Sequence, residues 1–108
     1  MKPIMLTRSN FDKAFKIKQT SVRLGVKTYI LGPSVVVSTD NGEVKQCIIT
    51  NVRLMKVYEL DHRHALRDGF HSLGELFKEL ERHYGKLKHD DDVTVVTFES
   101  TKDSEYCK

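Results

Sequence analysis

Lys18-Gln19-Thr20-Ser21-Val22-Arg23 is the stretch whose conformation decides what this chain becomes. It follows a short amphipathic segment, Phe11 to Ile17, and its β-branched and polar residues open a strand. Residues two apart on a strand point to the same face. Ser21 and Arg23 therefore share one face, and Thr20, Val22 and Leu24 share the other. A hydroxyl and a guanidinium side by side, with Lys18 just upstream, can hold an anion or activate a nucleophile. An acidic site, Asp68-Gly69, follows much later, at the end of an expected helix. The two places make a site only if the fold brings them together.

Working outward, Ile4-Met5-Leu6 reads as a first strand, and Ser9 or Asn10 as the N-cap of a helix with Phe11, Ala14 and Phe15 at i, i+3, i+4 spacing. Beyond Leu24, Tyr29-Ile30-Leu31 leads to Gly32-Pro33-Ser34, a turn signal. Val35-Val36-Val37-Ser38 is a β-branched strand, and Asp40-Asn41-Gly42-Glu43 a hairpin turn. Val44 to Tyr58 is a long β-prone stretch that places Ile48, Thr50, Val52 and Leu54 on one face. It is long enough to need a bend or bulge. The pattern then turns helical. Asp61 caps a short helix through Leu66 that Gly69 closes at C′. Ser72-Leu73-Gly74-Glu75 is a capping box, and Leu73, Leu76, Phe77, Leu80 and Tyr84 form a core-facing stripe ended by Gly85. A final strand, Val93 to Phe98, follows Asp90-Asp91-Asp92. So many strands in so short a chain imply an α+β domain. The expected form is a small, closed or nearly closed barrel of five to six mostly antiparallel strands flanked by two to three helices.

The 108 residues suit one core, and 39% hydrophobic with 31% charged residues excludes a disordered chain. No apolar run approaches the roughly 20 residues of a membrane helix, and the apolar start, Ile4-Met5-Leu6, is too short for a secretory signal. Cys47 and Cys107 lie far apart without metal-type spacing, which suits a reduced, cytoplasmic setting. Cys47 falls in a strand pattern and reads as core. The net charge is +3, yet residues 1–30 carry seven basic side chains against Asp12 alone, a local excess of +6. That third of the chain is the expected contact surface for an anionic partner. Neither a metal nor a cofactor is expected. His62 and His64 lie about 200° apart on a helix and cannot share an ion with Asp61 and His71. Asp90-Asp91-Asp92 lacks the glycine and ligand spacing of a calcium loop. Tyr29, Tyr58 and Phe70 fall near strand ends or the Asp68 loop. Of these, Tyr29 is the ring best placed to stack on a base.

Two motifs carry a family resemblance. Lys18-Gln19-Thr20-Ser21-Val22-Arg23 resembles the K-x-x-T-x-R stretch of the ASCH family, a branch of the PUA-like barrels. Ala65-Leu66-Arg67-Asp68-Gly69-Phe70-His71-Ser72-Leu73-Gly74-Glu75-Leu76 resembles its A-x-x-E-G-[FY]-x-S-x-x-E-L run. Both stand in order with matching elements between and after them, over roughly residues 4–99, with 100–108 as a polar tail and 1–99 as the domain. Three positions depart from the pattern: Lys16 replaces a glycine, Ser21 a threonine and Asp68 a glutamate.

The resemblance implies a cleft at the barrel mouth lined by Lys18, Ser21, Arg23 and Asp68; Arg8, from the basic first third, and the Tyr29 ring are expected as further ligand contacts. It implies RNA or nucleoside binding, since related PUA-like domains bind RNA or modified bases. It also leaves open an amidohydrolase, since one bacterial member deacylates N4-acetylcytidine with a lysine, a threonine and a glutamate that match Lys18, Ser21 and Asp68. Ser21 would then be the nucleophile, Lys18 its base, Asp68 the residue that orients the base or returns a proton, and Arg23 a substrate or oxyanion contact. A free lysine titrates near ~10.4 and must fall by about three units to act as a base. Burial and Arg23 push it down, and Asp68 pushes it up. A third possibility is an interaction module in which the same ions only close the barrel.

Overall fold

The computed structural model describes residues 3–14 and 18–100. The β-branched runs form the strands β1 (Ile4–Leu6), β2 (Thr20–Leu24), β3 (Gly32–Ser38), β4 (Val44–Lys56) and β5 (Asp92–Ser100). The amphipathic runs form α1 (Arg8–Lys13), α2 (His62–Arg67) and α3 (Leu73–Tyr84), with a 3₁₀ turn, Val57–Glu59, after β4. One sheet runs in the order β1-β3-β4-β5-β2 and curls into a nearly closed barrel. β1 and β3 pair in parallel, and the other three pairings are antiparallel. The strand count, the helix count and the α+β class are those expected.

The sheet buries apolar side chains on both faces, and β5 divides them by parity. Val96 and Phe98 pack with Ile4, Leu6, Val36, Cys47 and Ile49 under Phe11 and Ala14 at α1. Val93 and Val95 pack on the opposite side with Val22, Met55 and the α2–α3 residues Ala65, Leu76 and Leu80. Ser72 caps α3 by accepting from the Glu75 amide. Asp61 caps α2 by accepting from the amides of Arg63 and His64.

Four local expectations change. The N-cap of α1 is Thr7, not Ser9 or Asn10, and its carbonyl accepts from the Phe11 amide at 2.8 Å. The helix stops at Lys13, and the expected positions Phe15 to Ile17 lie outside the described residues. Gly32-Pro33-Ser34 belongs to β3 instead of a turn. Pro33 pairs with Ile48 beyond the reach of β1, whose pairing begins at Val36, so its missing N–H leaves no gap on that side. Ile48, Thr50, Val52 and Leu54 do not share one face of β4. The expected bulge is present, between Ile49 and Asn51, and it reverses the parity of the strand. Cys47 and Ile49 face inward before it and Val52 after it, while Leu54 stays exposed.

β1 and β2 are the two unpaired edges of the sheet, and they flank the open seam. Arg23 on β2 donates from Nη2 to the Met5 carbonyl on β1 and so spans it.

Phe98, 2% exposed, packs against β1, β3 and β4 at once. Truncation to alanine is expected to cost about 3–5 kcal/mol, a large share of a small domain's stability. The shift of the urea midpoint at unchanged slope measures it.

Candidate functional site

The two motifs meet through backbone before any side chain is considered. Lys18 and Asp68 form an antiparallel bridge, and the Gln19 amide donates to the Arg67 carbonyl at 2.6 Å. Asp68 is the C-cap of α2, and Gly69 follows at φ +90°, a left-handed conformation that ends the helix. A Cβ on Gly69 would stand 3.2 Å from the Lys18 Cβ and 3.3 Å from the Lys13 Cδ. Glycine at 69 is thus set by the turn and by the closeness of the two segments together.

On this bridge the side chains complete a buried network. Lys18 Nζ lies 2.9 Å from Asp68 Oδ1 and donates to the Asp68 carbonyl at 3.1 Å. Thr20 Oγ1 donates to the same Oδ1 at 3.1 Å. The Lys18 and Asp68 side chains are 2% and 5% exposed. Burial lowers the pKa of Lys18, opposed chiefly by the Asp68 charge and helped by Arg23. Burial raises the pKa of Asp68, opposed by Lys18 and by the Thr20 hydroxyl. Both groups are drawn toward their neutral forms. Phe70 covers the pair, its ring centroid 5.9 Å from Lys18 Nζ.

Lys18, Ser21, Arg23 and Asp68 line one cleft of about 340 Å³, as the sequence leads one to expect. It lies along the β1–β2 seam. Met5, Leu6 and Thr7 form one wall, and Leu76, Glu79, Leu80, His83 and Tyr84 of α3 form the other. Ser21 is 2% exposed. Arg23 Nε is buried and has no hydrogen-bond partner among the described residues. Arg8 lies outside the lining and is paired with Asp12 at 3.2 Å and Glu43 at 3.5 Å. Tyr29 also lies outside it, packed against the core formed with α1.

Four contributors were not anticipated. The hydroxyl on Asp68 belongs to Thr20, and the spacing of Lys18 and Thr20 by two residues, one strand face, is the signal that could have shown it. Glu79 and His83 reach the cleft from α3, laid across the seam, and Asn10 reaches it from α1; no local pattern marks them. Among the described residues no group of three or more His, Cys, Asp or Glu is placed to hold a metal ion. None of the described helices is long and apolar enough to cross a membrane.

No protein-family profile matches the chain, and no curated protein matches it. Solved structures do, two among them as follows. The ASCH domain from Lactobacillus crispatus JV V101 superposes with a TM-score of 0.74 at 14% identity, over 91% of this chain and 79% of that one. A protein of the DUF984 family from Enterococcus faecalis V583 superposes with a TM-score of 0.65 at 14% identity, over 94% and 81%. The chain has an ASCH-like fold.

Removing one partner of the buried pair leaves the other uncompensated. Lys18→Met is expected to cost about 3–5 kcal/mol at neutral pH, and Lys18→Met with Asp68→Leu to recover most of it. In the single variant the burial that raises Asp68 loses its main opponent, leaving only the Thr20 hydroxyl and the Arg23 charge against it. The folded state then favours the protonated acid, a contribution fully present below the ordinary value of 3.8 and lost as pH rises through the raised folded value. The deficit against the unaltered protein should therefore be smallest near pH 4 and grow toward neutrality, which urea unfolding at several pH values measures.

Proposed function

We propose that the chain binds a nucleoside, free or as a residue of RNA, in the seam cleft. The observation that carries this is the Arg23 Nε. It is a buried donor without a partner among the described residues, on a residue that lines a cleft also lined by Lys18, Ser21 and Asp68. An unsatisfied buried donor costs about 1–3 kcal/mol, which an acceptor supplied by a ligand would recover. The carbonyl oxygen of a pyrimidine is such an acceptor. The cleft volume, about 340 Å³, lies at the small end of ligand sites and suits one nucleoside better than a stretch of chain. The basic first third adds attraction for phosphate, though Arg8 is already neutralised by Asp12 and Glu43.

A second reading, amide hydrolysis, draws support from one observation: burial lowers the pKa of Lys18, the direction a general base requires. In that reading Ser21 Oγ attacks the acyl carbon and its proton passes to Lys18. The carbon–nitrogen bond then breaks, and the proton goes on to the departing amine. Water finally cleaves the acyl-serine.

Titration with cytidine and N4-acetylcytidine tests both. Saturable binding weakened about tenfold or more by Arg23→Ala is expected, the loss of a hydrogen bond made by a charged group. Absence of binding to either nucleoside and to single-stranded RNA would end the first reading. Release of cytidine from N4-acetylcytidine, abolished in both Lys18→Ala and Ser21→Ala, would establish the second.

A further inference from the structure

The cleft has a second polar group at its mouth, apart from the Lys18–Asp68 pair. Glu79 projects from the middle of α3, its side chain 18% exposed, and lines the cleft with Asn10 and His83. Its Oε2 accepts from Asn10 Nδ2 at 2.9 Å and lies 3.2 Å from His83 Nε2. Arg82 Nε and Nη2 donate to its two oxygens, each at 3.0 Å. Burial opposes ionisation of Glu79, yet the Asn10, Arg82 and His83 contacts outweigh it and hold its pKa below the ordinary value. Asn10 is itself buried, and its amide also reaches Thr7 Oγ1 at 3.2 Å. The Asn10–Glu79 bond joins α1 to α3 across 69 residues, and it fixes the carboxylate at the mouth.

These contacts differ in how readily they are given up. Asn10 is enclosed, whereas Arg82 is 61% exposed and makes with Glu79 a surface pair of the kind that contributes little. A carboxylate offers about four acceptor positions, and Arg82 takes two that a ligand could use. A carboxylate beside a nucleoside site is also the group that accepts from ribose hydroxyls.

Resting on the nucleoside reading above, we propose that Glu79 is the specificity-determining residue for the sugar. Held by Asn10, it exchanges its contact with Arg82 for the ribose hydroxyls, so the cleft selects ribonucleosides over deoxyribonucleosides.

Calorimetric titration with cytidine and 2′-deoxycytidine reads this directly. Cytidine is expected to bind about tenfold more tightly, the difference one hydrogen bond to a charged group makes. Glu79→Gln should bring the ratio toward one by weakening cytidine more than 2′-deoxycytidine. Arg82→Ala leaves the Asn10–Glu79 bond in place and frees two acceptor positions, so it should tighten cytidine binding and widen the ratio. A merely structural Arg82–Glu79 pair would not produce that gain. Equal affinity of the unaltered protein for both nucleosides overturns the assignment of Glu79 and leaves the cleft reading intact. A ratio that narrows in Arg82→Ala overturns the exchange. Binding of neither nucleoside, nor of single-stranded RNA, removes the cleft reading and this inference with it.

Discussion

The contact between Lys18 and Asp68 is the constraint around which the rest is arranged. Two oppositely charged groups from remote parts of the chain are taken almost wholly out of water, 2.9 Å apart. Such a pair recovers its desolvation cost only with close geometry and with its remaining hydrogen-bonding positions filled. The fold meets both needs with backbone. The bridge between residues 18 and 68 sets the separation, the Asp68 carbonyl takes a second lysine proton, and Thr20 supplies a donor to the carboxylate. The same bridge ties the start of β2 to the end of α2. The helical layer is thereby anchored to the strand that edges the sheet.

That anchoring explains why a cleft exists where a closed barrel would have none. Backbone pairing stops at β1 on one side and β2 on the other, so the seam between them is not sealed by a ladder. It is bridged by one side chain, Arg23, and overlaid by α3, whose Leu76 and Leu80 are buried. A sheet edge is a liability unless covered. Here the covering leaves a hollow lined by polar groups from both edges and from the helix. The polar groups divide into a more deeply buried set around Lys18 and Asp68 and a more exposed one around Glu79.

Most of the architecture was legible because it is written in local patterns. The β-branched runs, the hairpin turn before Val44, the Asp61 and Ser72 caps and the closing glycines at 69 and 85 each have a physical cause within a few residues. The errors fell where a local pattern has two solutions. Pro33 signals a turn or a strand start, and only the short reach of β1 chooses between them. The face of β4 depends on whether a bulge comes before or after a given residue, and the bulge near Thr50 puts Val52 on the side of Cys47 and Ile49 instead of that of Ile48.

The candidate site shows the same division. The residue types, and the need for 18 and 68 to meet, stand in the sequence, because a lysine, hydroxyls, an arginine and an acid beside a helix-ending glycine form recognisable motifs. Which hydroxyl faces the acid did not follow from the motif, and the tertiary structure assigned that contact to Thr20 and left Ser21 to line the cleft. The placement of Arg8 against Glu43, of Tyr29 in the core and of Glu79 at the mouth was likewise decided in three dimensions. Propensity and periodicity act over a turn of helix or a pair of strand residues. Contacts between segments tens of residues apart follow only from how complete elements pack.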